Sequence, residues 1–126
     1  MKQLISLAIR HIPRKNLQLF AHFIAKGLSV FYLGNAVQCP VCLQRYRKFL
    51  PYGRIARENA LCPNCLALER HRLLWIYLDQ KTTLFTEKQR LLHIAPEYCF
   101  IDRFESLANL DYVTADLESP LAKVKM

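Results

Sequence analysis

A chain of 126 residues is long enough for one ordinary domain or two small ones, and its 52% apolar content supplies a core and excludes wholesale disorder. The net charge of +8 is unevenly placed: residues 1–78 carry 12 Lys/Arg against 2 acids, and residues 79–126 carry 6 against 8. A basic front and a mildly acidic back suggest two units with different tasks.

The opening "MKQLISLAIRHIPRK" has a short apolar run broken by Arg10 and His11, and no small-residue cleavage site follows it. The expectation is a reducing, cytoplasmic compartment, where paired cysteines serve metals or redox chemistry rather than disulfides. Residues 3–12 and 16–33 read as helices, with Leu17, Phe20, Ile24, Leu28 and Phe31 recurring at helical spacing. The run "LQLFAHFIAKGLSVFYL" is interrupted by His22, Lys26 and Gly27, and its 17 residues lie at the lower limit for a membrane span. An N-terminal helical segment, 1–36, is therefore expected to pack on the rest of the protein, with attachment to a membrane surface as the alternative.

Residues 39–65 hold two Cys-x-x-Cys pairs with 19 residues between them, each with Pro after its first cysteine. A redox Cys-x-x-Cys normally occurs once, at the start of a helix. Two copies fit a zinc ribbon, because each tight turn aims two thiolates at one point and zinc takes four in a tetrahedron. The metal ligands are then Cys39, Cys42, Cys62 and Cys65. Four thiolates leave no open position, so the zinc is structural rather than catalytic. The intervening stretch forms a hairpin turning at Pro51, Tyr52 and Gly53. A helix over 66–81 completes a ribbon unit of 37–81, and its "ERHR" reads as a solvated face with Glu69 and Arg72 pairing at i,i+3, or else as a contact surface for an anionic substrate or the second domain. Cys99, far along the chain from both pairs, reads as a small buried hydrophobe.

After the linker 84–89 the pattern changes. "RLLHIAP" reads as a buried strand, "CFIDRFESLA" as a helix with Asn109 as its C-cap, and "DYVTADL" as a second strand. Strand, helix, strand at this spacing is a βαβ unit with parallel strands. A parallel unit needs helices on both faces and further strands beside it, so residues 90–126 are expected to begin a larger sheet and the chain to be part of a longer protein. Ligands of open α/β sheets sit beyond the carboxyl ends of the strands, where Glu97 and Asp116 fall. A carboxylate ending the second strand can accept two hydrogen bonds from a ribose diol, which nominates Asp116, while "ADLESP" also reads as a turn and cap sequence in which Asp116 is a loop or N-cap acid.

These residues resemble the opening of class I S-adenosylmethionine-dependent methyltransferases. Residues 37–126 are similar to bacterial methyltransferase-domain proteins with an N-terminal zinc ribbon, through "FLPYGR", "LCPNC", "LERHRLLW", "LHIAPE" and "ADLESPLAKVKM". The resemblance implies an α/β, Rossmann-like fold with S-adenosylmethionine as cofactor and His93, Ala95, Glu97 and Asp116 at the cofactor. Where the wider family has an acid and a glycine-rich turn after its first strand, this chain has His93, Ala95, Glu97 and Cys99. Two functions remain. One is a methyltransferase whose ribbon positions the substrate; methyl transfer depends mainly on alignment, so no acid–base pair is required. The other is a nucleic-acid-binding ribbon, in which Arg45, Arg47, Lys48, Arg54 and Arg57 meet RNA phosphates and Tyr46, Phe49 and Tyr52 stack on bases. The same basic residues would also offset the charge of a four-thiolate zinc centre.

Overall fold

The computed structural model describes residues 14–126, so the helix expected over 3–12 lies outside the described residues. The elements are α1 (Arg14–Tyr32), β1 (Leu33–Gln38), β2 (Arg45–Tyr46), β3 (Leu50–Tyr52), β4 (Arg57–Leu61), α2 (Glu69–Lys81), β5 (Gln89–Ile94), α3 (Tyr98–Glu105), β6 (Leu110–Asp116) and β7 (Val124–Lys125). They form a mixed α/β protein with three small sheets: β1 antiparallel to β2, β3 antiparallel to β4, and a parallel sheet in the order β5-β6-β7. Among the described residues, no helix is long and apolar enough to cross a membrane.

The chain leaves α1 directly into β1 with almost no loop. What fixes that corner is a close approach: the Arg47 N–H donates to the Tyr32 carbonyl at 2.7 Å, and its guanidinium donates to the Phe31 carbonyl. A Cβ at Gly34 would stand 2.3 Å from the Arg47 Cγ and 2.9 Å from its backbone nitrogen, so only glycine lets the two segments meet. The β3–β4 hairpin turns at Gly53, whose φ of 113° lies where side chains are strained.

The expected packing of α1 is not what the structure has. Ala25 is buried and Tyr32 touches the core, but Phe20, Phe23, Ile24, Leu28, Val30 and Phe31 are all exposed. Among the helix side chains that are described, Ala25 alone is buried, and the aromatic rings of Phe20, Phe23 and Phe31 face outward.

The helix expected to start at residue 66 begins at Glu69, because Leu66 to Leu68 are used in closing the second cysteine turn. From there His71, Trp75 and Leu78, spaced i, i+4, i+7, face inward. Trp75 packs on Phe85 (4.9 Å between ring centroids), Phe104 (5.6 Å) and Phe100 (5.9 Å). The last two come from α3, so the cysteine-rich unit and the βαβ unit share one contiguous core, running from Cys39, Val41 and Phe49 to Cys99, Phe100 and Phe104.

In the parallel sheet Leu91 pairs with Tyr112 and His93 with Thr114, which puts these four on the face covered by α3. Leu92 and Ile94 point the other way and are each 59% exposed. Two parallel strands normally need a connection of a dozen residues or more. Here seven join β6 to β7, and they suffice because β7 pairs only with Ala115 and Asp116, at the very end of β6. The chain has almost no distance to retrace. Asn109 does not cap α3, whose C-cap is Ser106; its side-chain amide instead donates to the Leu84 and Glu87 carbonyls at 2.8 and 2.7 Å and pins the linker.

Candidate metal centre and strand-end site

The two cysteine turns are built alike. In each, the first cysteine's N–H donates to the carbonyl five residues on (Cys39 to Gln44, 3.0 Å; Cys62 to Ala67, 2.9 Å). In each, the N–H four residues on returns to the first cysteine's carbonyl (Leu43, 2.8 Å; Leu66, 3.0 Å). Leu43 and Leu66 take the same left-handed backbone, with φ of 62° and 61°. That conformation is uncommon for a leucine, and it recurs at the same position of both turns. The prolines after Cys39 and Cys62 start both turns with φ already set.

The four sulfurs converge, all within 4.8 Å of one another. Cys39 to Cys65 and Cys42 to Cys62 are each 3.7 Å between Sγ atoms, too far for disulfides, and all five cysteines of the chain are free thiols. A tetrahedron with Zn–S bonds of about 2.3 Å has edges of about 3.8 Å, so the spacing suits a four-coordinate zinc. Hydrogen bonds from Cys39 and its neighbours pull the Cys42 thiol far down, while the crowding of sulfurs pushes Cys65 far up. The same network lowers Cys39 and raises Cys62, so the four thiols do not ionise alike. Cys39 and Cys62 are fully buried, and Cys42 and Cys65 partly so.

Around the centre, two residues of "ERHR" do work that the sequence did not reveal. Arg72 does not pair with Glu69. Its Nη1 donates to the Ala60 and Ala67 carbonyls (both 2.9 Å), its Nη2 to the Asn59 carbonyl (3.1 Å), and the guanidinium lies 4.2 Å over the Phe49 ring. It clamps α2 to β4 and to the second cysteine turn. Glu69 instead takes Arg57, at 3.1 Å, and that hydrogen bond holds its carboxyl down at about 2. His71 is buried; its Nδ1 accepts the Leu68 N–H at 3.1 Å, so a neutral ring carries its proton on Nε2. That Nε2 has no hydrogen-bond partner, and the nearest carboxylate oxygen, of Glu97, is 3.9 Å away. Burial holds His71 below its ordinary pKa. Helical spacing signalled His71, which lies on the row of Trp75 and Leu78; nothing in the local sequence marked Arg72.

At the carboxyl ends of β5 and β6, His93 lies between the Tyr112 hydroxyl (2.8 Å) and the Glu97 carboxylate (2.6 Å). Ala95 follows β5 with a left-handed φ of 52°. Asp116 ends β6, and its Oδ1 accepts the Glu118 and Ser119 N–H groups, both at 2.8 Å, which lowers its pKa. His93, Ala95 and Glu97 thus share one corner, with Asp116 at the tip of the neighbouring strand. Cys99 is buried, and burial raises its thiol to about 12.

The basic aromatic stretch is arranged differently from a base-stacking surface. Tyr46 and Phe49 are buried in the core, Arg57 is held by Glu69, and Arg47 is turned onto the end of α1. Only Tyr52 of the three aromatics is exposed. No family model, curated protein or solved structure matches the chain.

Proposed function

We propose that this chain belongs to an S-adenosylmethionine-dependent methyltransferase, in which a structural zinc held by Cys39, Cys42, Cys62 and Cys65 fixes α2 against the cofactor sheet. The observation that carries the reading is the end of the parallel sheet. Strands β5, β6 and β7 neighbour one another in chain order, as in half of a doubly wound fold. The turn after β5 uses a left-handed residue, Ala95, where such a turn ordinarily places glycine, and an acid ends β6. In this reading Asp116 receives the ribose hydroxyls through the oxygen not committed to its own loop. The Ala95 turn faces the methionine end. His93 and Glu97, bound to each other, keep that turn in shape rather than touch the methyl group. The cofactor supplies an activated methyl on sulfur, and the protein's part is alignment. The ribbon holds its place by packing, since four thiolates leave the metal no site for a substrate.

Calorimetric titration of S-adenosylmethionine into the full-length protein tests this. Micromolar binding that weakens at least about tenfold in Asp116→Ala is expected, the loss of a charge-assisted hydrogen bond being worth roughly 1.5–3 kcal/mol. No binding, or equal binding by the variant, removes the reading.

A further inference from the structure

Among the described residues, the aromatic face of α1 has no partner. Phe20, Ile24, Gly27 and Phe31, at spacings of four, three and four, form one row along the helix. Phe20 is 66% exposed, Phe31 71%, and nothing stands within 4 Å of where a Gly27 Cβ would be. Beside this row lie Leu28 on one flank and Phe23 and Val30 on the other, the last two 73% and 64% exposed. Exposed Lys26 lies between Phe23 and Val30 on their flank. Three phenylalanines and three aliphatic residues thus form one outward surface on a helix about 28 Å long. Folding spends none of them on the core, and a surface of this kind marks a partner.

Charge says which partner. The helix contains Arg14, Lys15 and Lys26 and no acid. Residues 1–57 as a whole carry ten Lys/Arg and not one Asp or Glu. Arg45, Arg47 and Lys48 are exposed, and Arg47 hydrogen-bonds to the end of α1, so a basic side chain also stands at its C-terminal end. An apolar stripe with cations on its flanks is suited to the boundary of an anionic bilayer: the rings enter the acyl layer, and the ammonium groups reach up to the headgroups.

We infer that α1 is an interfacial helix that lies in the plane of an anionic membrane on its Phe20–Ile24–Phe31 face. It does not cross, in keeping with the lack of a spanning helix among the described residues. The remainder of the molecule, attached to α1 by the short Tyr32–Leu33 corner, is then held close to the lipid surface.

The test is co-sedimentation of the zinc-loaded protein with vesicles of phosphatidylcholine alone, and of phosphatidylcholine with about a third phosphatidylserine. Binding to the anionic vesicles is expected, with at least about tenfold less on the neutral ones, and a steep decline as salt is raised from ~0.1 to ~1 M. The double variant Phe23→Asp/Phe31→Asp should lose at least about tenfold in partitioning while keeping zinc content and thermal midpoint, because neither ring contributes to the core. Lys26→Glu should reduce binding to anionic vesicles and leave binding to neutral ones unchanged. The inference is overturned by failure to bind either vesicle. It is equally overturned by equal binding to both, or by sedimentation in lipid-free buffer as a dimer that the double variant dissolves, which would assign the face to a second copy of the chain.

Discussion

Cys62 is the residue on which the most depends. It is fully buried, lies 3.7 Å from Cys42, and its backbone closes the second turn. Zinc binding to small cysteine sites contributes about 10–16 kcal/mol near neutral pH, comparable with the whole stability of a domain. Cys62→Ser should therefore lose the metal and unfold the ribbon, which native mass spectrometry and circular dichroism would read together; a variant that retains zinc at full occupancy would contradict the assignment. Since the ligands are thiolates, protons compete with the metal, and occupancy should fall as pH is lowered. Cys99 behaves in the opposite way. Burial raises its thiol to about 12, so it stays protonated and shielded at neutral pH. Alkylation of the native zinc-loaded protein should leave Cys99 unmodified, and denaturation should expose it with the other four. Gly34 is a third point of dependence. A methyl there meets the Arg47 backbone, which cannot swing aside, and Gly34→Ala should cost about 1–3 kcal/mol in a denaturant melt.

Between elements, the decisive contact is the one Arg72 makes from α2 to β4. Its guanidinium serves three carbonyls and covers a ring, so Arg72→Ala removes charge-assisted bonds and packing at once. A loss of about 2 kcal/mol is expected, with α2 amides exchanging faster than in the native protein and zinc still bound. The sequence made some of this legible and concealed the rest, for physical reasons. The double Cys-x-x-Cys pattern named the four residues that converge, because metal geometry is encoded in local spacing. The β5–α3–β6 order was visible because a short apolar run ending in Pro, a helical apolar face and a stretch of residues that favour extended structure follow one another. "ERHR" misled, since a charged run normally faces solvent; what placed Arg72 inward was three carbonyls left over at the second cysteine turn, a tertiary demand with no local mark. Asn109 misled likewise: it was free to cap α3 but is needed by the linker carbonyls. For α1, the apolar periodicity revealed the helix and its face correctly. It could not reveal that the described remainder of the molecule leaves that face uncovered, because burial is a property of the partner and not of the stripe.

Taken as a whole, the molecule joins its two halves through α2, whose first turn is fixed by the metal unit and whose middle packs on α3. Trp75 is at that joint, and it is the single tryptophan of the chain. Its ring lies within 6 Å, centroid to centroid, of Phe85, Phe100 and Phe104, with Arg103 5.6 Å above it. The protein therefore carries one native fluorophore at the place where disorder in either half would first be felt. Chelation of the zinc should shift its emission to longer wavelength and raise its accessibility to a quencher such as iodide. Restoring zinc should reverse both changes along one curve, so that light from a single ring reports whether the two halves still fold as one.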